Sequence, residues 1–251
     1  MKKMGHSGFG DGFSGGGVFS AFHLGSLVST VASSGNDMLI GTTSDDTLSG
    51  GAGNDRYTAN SAGDDIVENA SEGTDSVFAT VSYTLDDNIE NLTIGGSDGI
   101  YGNGNAMDNV IIGNEAANVL DGKEGNDTIS GGGGADTLTG GSGLDVFIID
   151  IRGASGEFDT ITDFSATDDT IQLGGRHIHN ASISAVTISS DYFVANATGA
   201  AVDSNDYVIY NTETGALYFD MDGSGSIAAV QIALLGASSH PAISAADFVV
   251  A

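Results

Sequence analysis

The chain has 251 residues, 39 of them glycine, and no cysteine, so neither a disulfide nor a thiolate-bound metal can staple it. Its 34 Asp and Glu face only 6 Lys and Arg, a formal charge of −28 that repels nucleic acid, anionic membrane and polyanionic polysaccharide. Cations are the natural partners, because a compact state must either leave these carboxylates in solvent or neutralise them with bound metal.

Residues 1–31 form a Gly/Ser-rich N-terminal segment. Met1-Lys2-Lys3 resembles the start of a signal peptide, but residues 5–17 are mostly Gly and Ser where an apolar stretch would begin, so a cleaved N-terminal signal is not expected. From Val18 to Ala32 the chain is broken by His23, Gly25 and several Ser. Nothing approaches the ~18 consecutive apolar residues of a membrane span, and a soluble protein without membrane insertion is expected. Gly12-Phe13-Ser14-Gly15-Gly16 matches the nucleophile elbow GxSxG only by lying in a Gly-rich tract with no strand before it, and is read as coincidence.

A first array of nonapeptides spans 32–78. ASSGNDMLI (32–40), GTTSDDTLS (41–49), GGAGNDRYT (50–58) and ANSAGDDIV (59–67) abut, placing Asp37, Asp46, Asp55 and Asp64 nine apart. After a two-residue slip the frame resumes in ASEGTDSVF (70–78). Residues 79–103, with β-prone SVFATVSYTL leading in and ENLTI within, read as irregular coils of the same solenoid. A second array spans 104–150: GNAMDNVII, GNEAANVLD, GKEGNDTIS, GGGGADTLT and GGSGLDVFI. Its sixth positions are Asn109, Asn118, Asp127, Asp136 and Asp145, and its eighth are Ile111, Leu120, Ile129, Leu138 and Phe147.

The chemistry comes from this spacing. Three residues such as Thr128-Ile129-Ser130 alternate polar-apolar-polar and predict a short strand with one side chain turned inward. The six before it predict a turn whose glycines, at positions one, two and four, take positive φ and leave carbonyl oxygens open. Backbone carbonyls plus Asp suit a hard cation with 6 to 8 oxygen ligands far better than a soft or imidazole-seeking metal. One inward apolar side chain per nine residues is thin cover for the entropy of ordering the chain, so several bound Ca²⁺ ions are expected to contribute folding free energy.

GGAGNDRYT, GGGGADTLT and GGSGLDVFI match GGxGxDxUx, with U a large apolar residue, and the chain resembles the RTX (repeats-in-toxin), hemolysin-type calcium-binding family over about 32–251. That resemblance implies an all-β fold: a parallel β-roll with two nonapeptides per turn, calcium between turns stacked on the same side, and a β-rich C-terminal cap. Partners then lie eighteen residues apart, pairing Asp37 with Asp55, Asp46 with Asp64, Asn109 with Asp127, Asn118 with Asp136, and Asp127 with Asp145. Backbone ligands are implied at Gly122, Gly125, Gly131, Gly134, Gly140 and Gly143. The Asn sites lack charge and are expected to be weaker or empty; turn-capping Asn and Asp is the plainer alternative.

FDTITDF (158–164) and TDDTIQL (167–173) resemble the segment after the roll in this family, where Asp159, Asp163 and Asp169 either complete a terminal calcium site or are solvated strand residues. Residues 151–251 then form the cap. DYVIYNTETGALYFDMDG (206–223) reads as a hairpin. Asp220 to Ile227 fits the first eight positions of an EF-hand loop, yet Gln231 stands where Glu is needed and a simple turn is favoured. His177 and His179 lack a third metal ligand and read as exposed. The tail Asp247-Phe248-Val249-Val250-Ala251 resembles the terminus read by type I secretion machinery. Extracellular or cell-surface localisation is therefore expected, with the biological target unknown. A free-standing, non-catalytic structural, adhesive or matrix component is favoured by Met1 and the short leading segment; the alternative is a module accessory to a secreted protease, lipase or epimerase.

Overall fold

In the computed structural model of the chain, residues 18–20, 29–32, 34–151, 157–174, 186–236 and 240–250 are described. Residues 1–17, His177 and His179 lie outside them, and with them the leading Lys pair, the GxSxG match and the two-histidine pattern. Short strands alternate between two sides of a continuous stack, and within each side successive strands pair parallel. Met38–Ile40 lies on Arg56–Ala59 and Thr128–Ser130 on Val146–Asp150, each eighteen residues on; Thr47–Ser49 and Thr137–Thr139 occupy the opposite side. This is a parallel β-roll with two nonapeptides per turn.

The inward residue of each unit builds the core. On one side the register aligns Leu39, Tyr57, Val77, Leu92, Ile111, Ile129, Phe147, Ile171 and Phe248; on the other, Leu120, Leu138, Ile161 and Leu235. All are buried, while the flanking strand residues stay partly exposed, as period-two alternation requires. Gly102 takes a core position opposite Leu120, and a Cβ there would come within 3.0–3.3 Å of Leu120, Ile94 and Leu92, so neighbouring side chains fill its place.

Between the arrays the stack continues through Tyr83–Thr84, Asn91–Ile94 and Tyr101–Asn103, although the loops change length. Arg56 pairs with Ser76 across twenty residues and Ser76 with Asn91 across fifteen. The second side breaks between Asp65–Ile66 and Tyr83–Thr84, where the Asp86 carboxylate accepts from Ile66 N at 3.1 Å and from the Tyr83 hydroxyl at 2.6 Å.

The C-terminal region covers the open end. Val208–Asn211 and Ala216–Phe219 form the antiparallel hairpin expected there. Val230–Leu235 adds antiparallel to Ala216–Phe219 and parallel to Asp159–Ile161, closing the second side. Phe248–Val250 lies parallel to Thr170–Gly174 and closes the first. Both sheet edges that would otherwise end in unpaired backbone are thus extended by cap strands. The Asp220–Ile227 stretch joins two strands, not helices.

Candidate metal centre

Each turn before a strand presents its position-six side chain along the roll. On the first side these carboxylates form a ladder: each accepts the backbone N–H of the equivalent residue one turn earlier. Asp37 N donates to Asp55 Oδ1 at 2.7 Å, Asp55 N to Asp75 Oδ1 at 2.7 Å, and Asp75 N to Glu90 Oε2 at 2.7 Å. Farther along, Asn109 N donates to Asp127 at 2.7 Å, Asp127 N to Asp145 at 2.9 Å, and Asp145 N to Asp169 at 3.1 Å. The second side carries the same link from Asp46 N to Asp64 at 2.9 Å, from Asn118 N to Asp136 at 2.7 Å, and from Asp136 N to Asp159 at 3.1 Å. The Asp and Asn members of these ladders are at most 9% exposed.

One oxygen of each carboxylate is thereby used, and the other decides the chemistry. Asp55, Asp127, Asp136 and Asp145 each keep a buried Oδ2 without a hydrogen-bond donor. Such an oxygen is costly to desolvate unless something positive meets it. Burial, foremost, pushes Asp127 up to about 7, with Asp145, Asp108 and Asp121 adding repulsion. Burial also raises Asp136 and Asp159, the Asp136 charge adding to the rise of Asp159, and lifts Asp75 to about 6. Asp55, Asp145 and Asp169 shift upward for the same reason.

The glycines explain how oxygens converge. Gly122 has no Cβ, and where one would stand lie Asp127 Oδ2 and the carbonyl oxygen of Gly140 from the next turn. Gly131 and Gly140 are likewise backed by the Oδ2 of Asp136 and Asp145. Position one does not take positive φ as the sequence suggests; glycine is needed there because the carboxylate occupies the side-chain space. Positive φ belongs to positions two and four, including Gly125 (115°), Gly134 (98°), Gly141 (96°) and Gly143 (153°). Lys123, at position two, holds φ 84°, a strained value for a residue with a Cβ.

The Asn units differ in kind. Asn109 Nδ2 donates to Ile89 O and Glu90 O at 3.1 and 3.2 Å, and Asn105 Nδ2 to Asp86 O and Ile89 O at 2.7 and 2.8 Å. Asn114 Nδ2 reaches Gly95 O, Gly96 O and Asp98 O, and Asn118 Nδ2 faces Ile100 O at 3.4 Å. Here amide N–H groups serve the carbonyls of the preceding turn. Asp46 and Asp64 are also better supplied: their Oδ2 atoms accept from Thr42 and from Asn60 and Ser61.

Asp159 and Asp169 therefore join the ladders at separations of 23 and 24 residues, while exposed Asp163 accepts from Gly140 N and Gly141 N at 3.0 and 2.8 Å. Asp75 and Glu90 are ladder members that the eighteen-residue rule misses. Asp75 is legible as the sixth residue of ASEGTDSVF; Glu90 has no period to reveal it.

Hard, oxygen-only, partly unsatisfied carboxylate and carbonyl groups fit calcium. Residues 31–67 and 112–147 match the RTX calcium-binding nonapeptide repeat, in four copies. Over 80 residues, 32% of this chain and 17% of the relative, it is 44% identical to the endo-1,3-1,4-beta-glycanase ExsH of Rhizobium meliloti (strain 1021). Over 96 residues, 38% of this chain and 20% of the relative, it is 38% identical to the endo-1,3-1,4-beta-glycanase EglC of the same organism. The chain thus spans about a fifth or less of these relatives. It carries RTX repeats, and RTX repeats bind calcium ions.

Proposed function

Starting from a chain that carries RTX calcium-binding repeats, we propose that it is a secreted module, non-catalytic in itself, that becomes ordered when calcium fills the two side ladders outside the cell. The observation that carries this is the row of buried carboxylate oxygens without donors at Asp55, Asp127, Asp136 and Asp145. In this reading Asp127 and Asp145 share an ion with the Gly122 and Gly140 backbone, and the Asn109 and Asn118 units hold ions weakly or not at all. The bound ion supplies positive charge; the chain supplies a turn that excludes water and hydrogen bonds that aim one carboxylate oxygen at the previous turn. The arrays at 32–78 and 104–150 are the responsive parts, 79–103 the connector, and 151–251 the cap. Extracellular modules commonly bind calcium with Kd near ~10⁻⁴ to 10⁻³ M, which separates a disordered internal state from an ordered external one. Calorimetric calcium titration paired with circular dichroism tests this: EDTA should abolish most β signal, and an unchanged spectrum would overturn it.

Export by a C-terminal signal belongs to the same proposal. Deleting the last sixty or so residues should retain the protein inside the cell, whereas deleting residues 2–30 should not. The reverse pattern would assign the signal to the other end.

A second reading, a module accessory to a secreted enzyme, is favoured by the two glycanase relatives. Tagged chain recovered from culture supernatant should then bring a glycan hydrolase with it; recovery alone favours the free-standing component.

A further inference from the structure

The two-residue slip at 68–69 places Glu68 where no position of the nonapeptide provides a carboxylate. Its side chain reaches back one turn to Gly50, eighteen residues earlier, and is 6% exposed. Glu68 Oε1 accepts from Gly50 N at 2.9 Å, from Gly51 N at 3.3 Å and from the Tyr57 hydroxyl. That oxygen is saturated, whereas Glu68 Oε2 is buried with no donor at all.

Around the same glycine stands a second oxygen in the same condition. Asp55 Oδ2 and the Tyr57 hydroxyl both crowd the place a Gly50 Cβ would take, and Asp55 Oδ2 has no donor. Tyr57, an inward core residue at 1% exposure, also receives Gly50 N–H at 2.7 Å, so its oxygen is tied to both Gly50 and Glu68. Among the described residues no basic side chain pairs with Asp55 or Glu68. Two carboxylates, a phenol and a bare glycine turn therefore enclose unsatisfied negative oxygen at 94% burial or more.

We propose that Asp55, Glu68 and Tyr57 form a further hard-cation site of the calcium class, in which Glu68 is a side-chain ligand from outside the nonapeptide frame. Such an ion would be met by two carboxylates and a neutral oxygen, the donor set that calcium takes and softer metals do not. The two inserted residues are then what brings the second charge to the turn. This deepens the calcium reading of Asp55, and its test is arranged so that the two can fail separately.

The experiment counts calcium bound per full-length chain by equilibrium dialysis in Glu68→Gln, Asp127→Ala and the parent. Gln keeps an acceptor for Gly50 N–H and mimics a protonated Glu, so loss of one ion in Glu68→Gln identifies a ligand. An unchanged count in Glu68→Gln beside a reduced one in Asp127→Ala would overturn the Glu68 site and leave the repeat reading intact; unchanged counts in both would overturn both. Terbium(III), excited through tyrosine, gives the second readout. Tyr57→Phe, which removes the neutral ligand and the sensitiser together, should weaken binding at this site and lose the emission that fills with it. Should Glu68→Gln fail to order at saturating calcium, the Tyr57→Phe emission decides, and undiminished emission overturns the proposal.

Discussion

Asp127→Asn should shift stability in opposite directions with and without calcium. A carboxyl ordinarily near ~3.9 is held at about 7 at this buried position. At pH 8 its ionised form therefore costs the ion-free fold about 4 kcal/mol more than it costs the unfolded chain. Asn removes that cost. Asn109 shows how an amide sits at position six, donating to carbonyls one turn back and accepting from its own turn. The equivalent carbonyls for residue 127 belong to Asp108 and Asn109. Turning the amide this way deprives the buried Asn109 N of its 2.7 Å acceptor, a loss of about 1–3 kcal/mol, so the ion-free ordered state should gain about 1–3 kcal/mol. With calcium the same substitution removes a charged ligand and should raise the calcium needed for ordering. The assay is trimethylamine-oxide-driven folding monitored by circular dichroism, in EDTA and in millimolar calcium, since this osmolyte favours the compact state without binding the site. Less osmolyte needed in EDTA together with more calcium needed otherwise is the expected result. Shifts of the same sign in both conditions would refute the claim that the Asp127 charge is what calcium neutralises.

Asp127→Ala and Asp145→Ala should each weaken calcium-dependent ordering, because each lies between two other ladder members; the double variant should cost less than the sum, and full additivity in a calcium titration would show that the pair shares no ion. Gly141→Ala puts a Cβ against Lys123 O at φ 96°, and should lower the melting temperature in saturating calcium by several degrees, about 1–2 kcal/mol coming from the backbone alone; a shift under a degree in a thermal scan would contradict it. Acid should partly replace calcium. Asp127 and Asp75 titrate higher in the ordered chain than in the unfolded one, so the ordered ion-free state binds more protons between about pH 4 and 7 and loses stability as pH rises through that window. Circular dichroism in EDTA should show more β structure at pH 5 than at pH 8, and the opposite order would contradict the sign.

Much of the roll is legible because its determinants repeat locally. The single apolar residue at position eight predicts the buried column from Leu39 to Phe147, and the eighteen-residue partner rule recurs as N–H to carboxylate bonds at Asp37–Asp55 and Asp127–Asp145. Where loops change length the rule loses its grip. Asp75 and Glu90 enter the ladder at separations of 20 and 15, and Glu68 arrives through the slip itself. The role of the first glycine is hidden too, since φ preference can be read from a residue type but crowding by a carboxylate five residues on cannot. Nor does any periodicity announce that Asp159–Ile161 pairs with Val230–Leu235, because that contact spans 74 residues and depends on how the cap wraps.

The carboxylate ladder also makes the two ends of the stack unequal. Wherever a position-six N–H meets a ladder side chain, the acceptor comes from the next turn along the chain, never from the turn before; Asp64 N turns instead to Ser61 O in its own loop. A roll cut from its beginning exposes a carboxylate oxygen to water, whereas a roll cut from its end exposes the N–H donors of the last remaining turn. The polypeptide is therefore a one-way template, on which a finished turn offers its predecessor an acceptor already in place. Growth by accretion toward the N-terminus satisfies each new donor as it docks, while growth in the other direction leaves one donor waiting at every step.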